Sequence, residues 1–143
     1  MGKWIICSHL QQMMLMLFGN SIKPNNFFLN KTWYEAQTYC RETYTDLATV
    51  SDMTDMRRLC SSTENQDEAW IGLHSYPGRE NRKWHWSLPG LEFNDSDARW
   101  GSGEPNGGKN PPENCALMDS KQWRDYPCKA DFQFICYSGK KYI

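Results

Sequence analysis

Six cysteines in 143 residues, none of them in a C-x-x-C pair, narrow this chain more than any other feature. Structural zinc ribbons and thioredoxin-like redox centres rely on that close spacing, so neither class fits. Disulfides formed in an oxidising compartment are the better reading. The chain is long enough for one domain around one core and too short for two comfortable ones. Two Asn-x-Ser/Thr sequons, at Asn30 and Asn94, fit a secreted glycoprotein.

Residues 1–21 read as a signal peptide or disordered leader, which leaves residues 22–143 as the domain. Lys3 supplies the positive start, Met13 to Phe18 the apolar run, and Gly19-Asn20-Ser21 the small residues before a cleavage site at Ile22. The formal net charge of −1 gives nothing to attract nucleic acid or an acidic membrane. No apolar run approaches the roughly 18 residues of a membrane span, so none is expected.

Asn26 to Leu29 reads as a first strand. Thr32 followed by Glu35 is a capping-box pattern opening a helix whose apolar side carries Trp33, Ala36, Tyr39 and Cys40. Ser51 caps a second helix, with Met53, Met56, Leu59 and Cys60 at near-helical spacing. Strand character follows at Trp70 to Leu73, Lys83 to Ser87, Cys115 to Met118, Gln122 to Arg124 and Phe132 to Cys136. Between the second and third of these lies a long loop, with seven Gly or Pro residues from Gly101 to Pro112. The fold class is α+β: helices in the first half, strands around a functional loop in the second.

Glu104, Glu113 and Asp125, with the amide of Asn106, crowd oxygen ligands onto this loop and its neighbouring strand. A hard cation such as Ca²⁺ takes about 6–8 oxygens, more than any one loop supplies. Catalysis finds little support. His9, His74 and His85 lack metal-ligand spacing and a nucleophile partner, and the Pro-Asn setting of Glu104 suits ligation better than paired-acid glycosidase chemistry. No enzyme is expected.

Four segments in order, Trp70-Ile71-Gly72-Leu73, Glu104-Pro105-Asn106, Trp123-Arg124-Asp125 and Phe134-Ile135-Cys136, together with four cysteines, give the chain a family resemblance. From about Asn26 to Tyr137 it resembles the C-type lectin-like domain, short form, of the EPN mannose type. The resemblance implies two helices packed on small antiparallel sheets, disulfides Cys40–Cys136 and Cys115–Cys128, and a cis bond before Pro105. Loops of about 100 and 13 residues closed in this way stabilise by roughly 4–5 and 3 kcal/mol. It further implies one Ca²⁺ held by Glu104, Asn106, Glu113 and Asp125. The same residues would bind glycans with equatorial 3- and 4-hydroxyls, mannose, fucose or N-acetylglucosamine, and Arg124 beside them is a further expected sugar contact. A second ion is not expected, because His74 to Glu80 carries a single acid beside Arg79.

Position 124 departs from the pattern, which has Asn there as ligand and sugar donor. Arg124 has no acceptor, and at 4 Å from a divalent ion it costs about 2 kcal/mol even at water's dielectric. Two resolutions follow. Arg124 swings outward and leaves a weakened Ca²⁺ site, or it pairs with Glu113 or Glu104 and replaces the ion. The second gives a calcium-independent, protein-binding domain with Arg124 in its interface. Cys7 and Cys60 remain over: Cys60 lies inert in the core, joins two chains as a homodimer, or pairs with a retained Cys7.

Overall fold

Thr32 opens the helix as its sequence predicts. Its hydroxyl accepts from the Glu35 N–H at 3.4 Å, and its own N–H donates to Glu35 Oε2 at 3.1 Å. The computed structural model of the chain describes residues 4–7, 30–49, 68–76, 83–108, 111–119 and 122–138. Within them lie β1 (Trp4–Cys7), α1 (Trp33–Thr43), β2 (Asp46–Leu47), β3 (Ala69–Ser75), β4 (Trp84–Trp86), a 3₁₀ turn (Asp95–Asp97), β5 (Cys115–Asp119), β6 (Gln122–Tyr126) and β7 (Gln133–Ser138). The expected strand at Asn26 to Leu29 and the expected second helix, with Cys60, fall outside the described residues.

The strands join in the order β1-β7-β3-β5-β6, with β2 also on β7 and β4 on β3. This is one mixed sheet rather than small antiparallel ones, because β3 runs parallel to β7 through Ala69↔Gln133 and Trp70↔Phe134. Residues 4–7, inside the expected leader, lie antiparallel along the other edge of β7.

Alternation along β5 sends its side chains to two separate cores. Cys115 and Leu117 join Trp33, Ala36, Cys40, Leu47, Trp70, Phe134 and Cys136 under α1. Ala116 and Met118 join Ile71, Leu73, Trp84, Trp86, Trp123 and Ile135 on the face covered by the long loop. Both disulfides, Cys40–Cys136 and Cys115–Cys128, form as the family resemblance implies. Buried indoles find polar partners across the layers: Trp33 Nε1 donates to Ile71 O at 2.8 Å and Trp70 Nε1 to Lys31 O at 2.9 Å.

Gly72 is fixed by close approach. A Cβ there would stand 3.1 Å from Ala48 O and 3.2 Å from Leu47 O, since the strand passes directly against the segment after β2. The Gly72 N–H donates to Ala48 O at 2.8 Å, and its carbonyl accepts from the Ser87 N–H at 2.6 Å. Ser87 belongs to a buried polar knot in which Asp46 Oδ2 accepts from Arg41 Nε at 3.1 Å and Asp46 Oδ1 from the Leu47 N–H at 2.8 Å. That knot ties the end of α1 to β4. Among the described residues no helix is long and apolar enough to cross a membrane.

Candidate functional site

The long loop is fastened to β6 before it reaches the site. Trp123 N–H donates to Arg99 O and Gly101 N–H to Trp123 O, both at 2.8 Å. Between them Trp100 packs its ring edge against Trp123, with centroids 5.8 Å apart, and joins the loop-side core. From that anchor the chain turns through Glu104–Pro105, whose peptide is cis, and comes back over Asp125.

Asp125, only 2% exposed, holds the turn by its carboxylate: Oδ1 accepts from the Asn106 N–H at 2.9 Å and Oδ2 from the Gly107 N–H at 2.8 Å. Glu104 closes the ring. Its Oε1 accepts from Asn106 Nδ2 at 2.9 Å and its Oε2 from the Asp125 N–H at 3.3 Å. Asn106 Oδ1 in turn accepts from the Gly108 N–H at 3.2 Å. Glu113 enters from the far limb of the loop, its N–H on Gly107 O at 3.3 Å. Its side chain lies so close to Gly108 (φ +41°) that a Cβ there would meet Cγ at 2.7 Å and Cδ at 2.9 Å. The four residues singled out as ligands therefore converge on one turn.

Burial, followed by the neighbouring Asp125 carboxylate, raises the Glu104 pKa above its ordinary value. Two carboxylates that resist joint ionisation are a setting a cation relieves. The donors are hard oxygens, and each carboxylate has lone pairs beyond those its N–H partners use. In chemistry the set fits Ca²⁺. In geometry, no group of three or more His, Cys, Asp or Glu side chains among the described residues is arranged to hold a metal.

Arg124 stands apart from this cluster, which is the outward of its two expected arrangements; the pairing alternative, and Arg124 as a sugar contact, need correcting. Neither Glu113 nor Glu104 receives it. Its guanidinium pairs with Glu68, just ahead of β3, and lies 5.1 Å from the centre of the Tyr126 ring. The cause is strand alternation. Trp123 packs into the loop-side core and Tyr126 against the helix-side core, which puts Arg124 on the helix side and Asp125 on the loop side. Sequence reading also passed over Gly107 and Gly108, whose N–H groups complete the turn. The Gly-Gly pair, with φ of +86° and +41°, was the available signal.

The two sequon asparagines, Asn30 and Asn94, are both exposed, and Asn94 Oδ1 accepts from the Ser96 N–H at 3.1 Å. Lys109 and Asn110 lie outside the described residues.

Residues 29–138 match the sequence profile of the Lectin C-type domain family. Human lithostathine-1-alpha is 30% identical over 128 residues, covering 82% of this chain and 74% of its own length. A C-type lectin of Oxyuranus scutellatus, described as a mannose-binding isoform, is 34% identical over 119 residues, covering 75% of this chain and 70% of its own. Among solved structures, human lithostathine superposes with a TM-score of 0.63 at 30% identity, covering 78% of this chain and 87% of that one.

Proposed function

The chain belongs to the C-type lectin domain family, and from that premise we propose that it binds mannose-type glycans outside the cell in a Ca²⁺-dependent way. Glu104, Asn106, Glu113 and Asp125 hold the ion and meet the sugar. The observation that carries this reading is the hydrogen-bonded ring in which Asp125 grips the Asn106 and Gly107 N–H groups while Glu104 receives the Asn106 amide. One turn thereby presents acceptors from carboxylates and a donor from an amide. A pair of neighbouring sugar hydroxyls, each both donor and acceptor, needs that combination. Ca²⁺ supplies the charge that lets Glu104 and Asp125 ionise together, and the hydroxyls complete its coordination shell. The snake relative described as mannose-binding supports the choice of sugar. The exposed sequons at Asn30 and Asn94 support secretion and glycosylation.

A second reading rests on the same ring. Asp125 already receives two backbone N–H groups and Arg124 is neutralised by Glu68, so the loop has a closed form held by protein contacts alone. Such a domain would bind a protein partner without calcium, with the Glu104 turn as its surface. A homodimer through Cys60 is compatible with either reading.

Thermal unfolding in excess Ca²⁺ against EGTA decides between them. A site saturated at about 100 times its Kd adds roughly 2.7 kcal/mol to folding stability, a clear rise in Tm. That rise, followed by elution with mannose but not galactose, is the expected result. An unchanged Tm at millimolar Ca²⁺ overturns the calcium-dependent reading and leaves the protein-binding one.

A further inference from the structure

His74 and His85 are direct cross-strand partners on β3 and β4. Side chains at such a pair leave the sheet on the same face. Their ring centroids stand 6.2 Å apart. His74 is 9% exposed and packs against Trp33 at 4.6 Å, and its Nδ1 is buried with no hydrogen-bond partner among the described residues. His85 is half-buried at the sheet edge. Tyr76, 50% exposed, completes a triangle of rings, 5.4 Å from His74 and 5.2 Å from His85.

A buried Nδ1 with no hydrogen-bond partner among the described residues, on a ring that the backbone at His85 and Gly72 otherwise reaches, and beside a second imidazole, calls for an explanation. We propose that His74 and His85 form a chelating pair for a divalent transition-metal ion of the zinc and copper type, distinct from the carboxylate turn at Glu104. Neutral imidazole nitrogen suits these ions, whereas Ca²⁺ prefers oxygen. With metal–nitrogen bonds of about 2.0–2.1 Å, the centroids of two ligating imidazoles lie roughly 5 Å apart at a tetrahedral angle and about 6.4 Å apart at a linear one, so this pair, at 6.2 Å, closes slightly to grip zinc. With two protein nitrogens the ion retains solvent or takes the Tyr76 phenol, whose ring already covers the pair. The site is independent of the glycan-binding reading.

The test is calorimetric titration of the full chain with Zn²⁺ in saturating Ca²⁺, with Cu²⁺ paramagnetic resonance as a second readout. One stoichiometric zinc site is expected, weakened by about tenfold or more in His85→Gln, since even the outer partners of metal ligands cost about 10–100-fold. Glu104→Gln should bind zinc unchanged. The copper spectrum should show coupling to two imidazole nitrogens. Absent zinc binding at millimolar concentration, binding indifferent to His85→Gln, or coupling to fewer than two nitrogens overturns the assignment.

Discussion

Arg124 and Asp125 are adjacent in sequence and serve opposite faces of the same strand. Asp125 grips the Asn106 and Gly107 N–H groups on the loop side, while Arg124 pairs with Glu68 and covers Tyr126 on the helix side. A fixed positive charge therefore sits one residue from the proposed cation site with its head turned away.

Neutralising the Arg124–Glu68 pair should be a matter of stability and not of ligand. Both partners are partly exposed, at 33% and 30%, so a double-mutant cycle of Arg124→Gln and Glu68→Gln should give a coupling of about 0.2–1 kcal/mol. The increment in Tm on adding Ca²⁺ should match that of the unaltered protein. A changed increment in Arg124→Gln would show that its side chain reaches the turn.

Asp125→Asn should open the turn. The amide offers one acceptor where two N–H groups need partners, and its NH₂ would face a donor. The loss is about 1–3 kcal/mol. Hydrogen exchange at the Asn106 and Gly107 amides should accelerate, and the calcium response should vanish. Slow exchange retained at both amides would contradict the ring of bonds described for this turn.

Gly108→Ala should damage the site more than the fold. The left-handed backbone costs a side-chain-bearing residue roughly 1–2 kcal/mol. The added Cβ also displaces Glu113, whose Cγ would be only 2.7 Å away. A calcium-dependent rise in Tm that shrinks by more than the calcium-free Tm falls is the expected pattern.

If the turn binds calcium as proposed, the Glu104 carboxyl should make that binding depend on pH. Its folded pKa lies above its unfolded one, so its contribution to stability is complete below the ordinary value of 4.5 and is lost as pH rises through the folded value. Ca²⁺ favours the ionised form, so the calcium increment should grow across that same window. Measured as Tm against pH with and without Ca²⁺, both trends should disappear in Glu104→Gln.

What the sequence disclosed followed from local rules. The capping box at Thr32 and Glu35, the buried run at Trp70 to Leu73 and the alternating Trp84, His85 and Trp86 each state a period or a cap that short stretches determine. The convergence of Glu104, Asn106, Glu113 and Asp125 came from the family motifs. The fate of Arg124 did not, because motif order says nothing of which face a strand residue takes. That was set by Trp123 being drawn into the loop-side core and by Glu68 arriving from the start of β3. The parallel pairing of β3 with β7 was hidden too, as it joins a segment from the middle of the domain to one at its end.

Both disulfides lie in the core beneath α1, and the core beneath the long loop is held by aromatic packing and backbone bonds to β6. Covalent reinforcement and the proposed ligand contact thus lie on opposite sides of one sheet. Substitutions that retune the turn at Glu104 leave the bridged side untouched, so such a domain can trade one ligand for another while keeping its covalently braced frame.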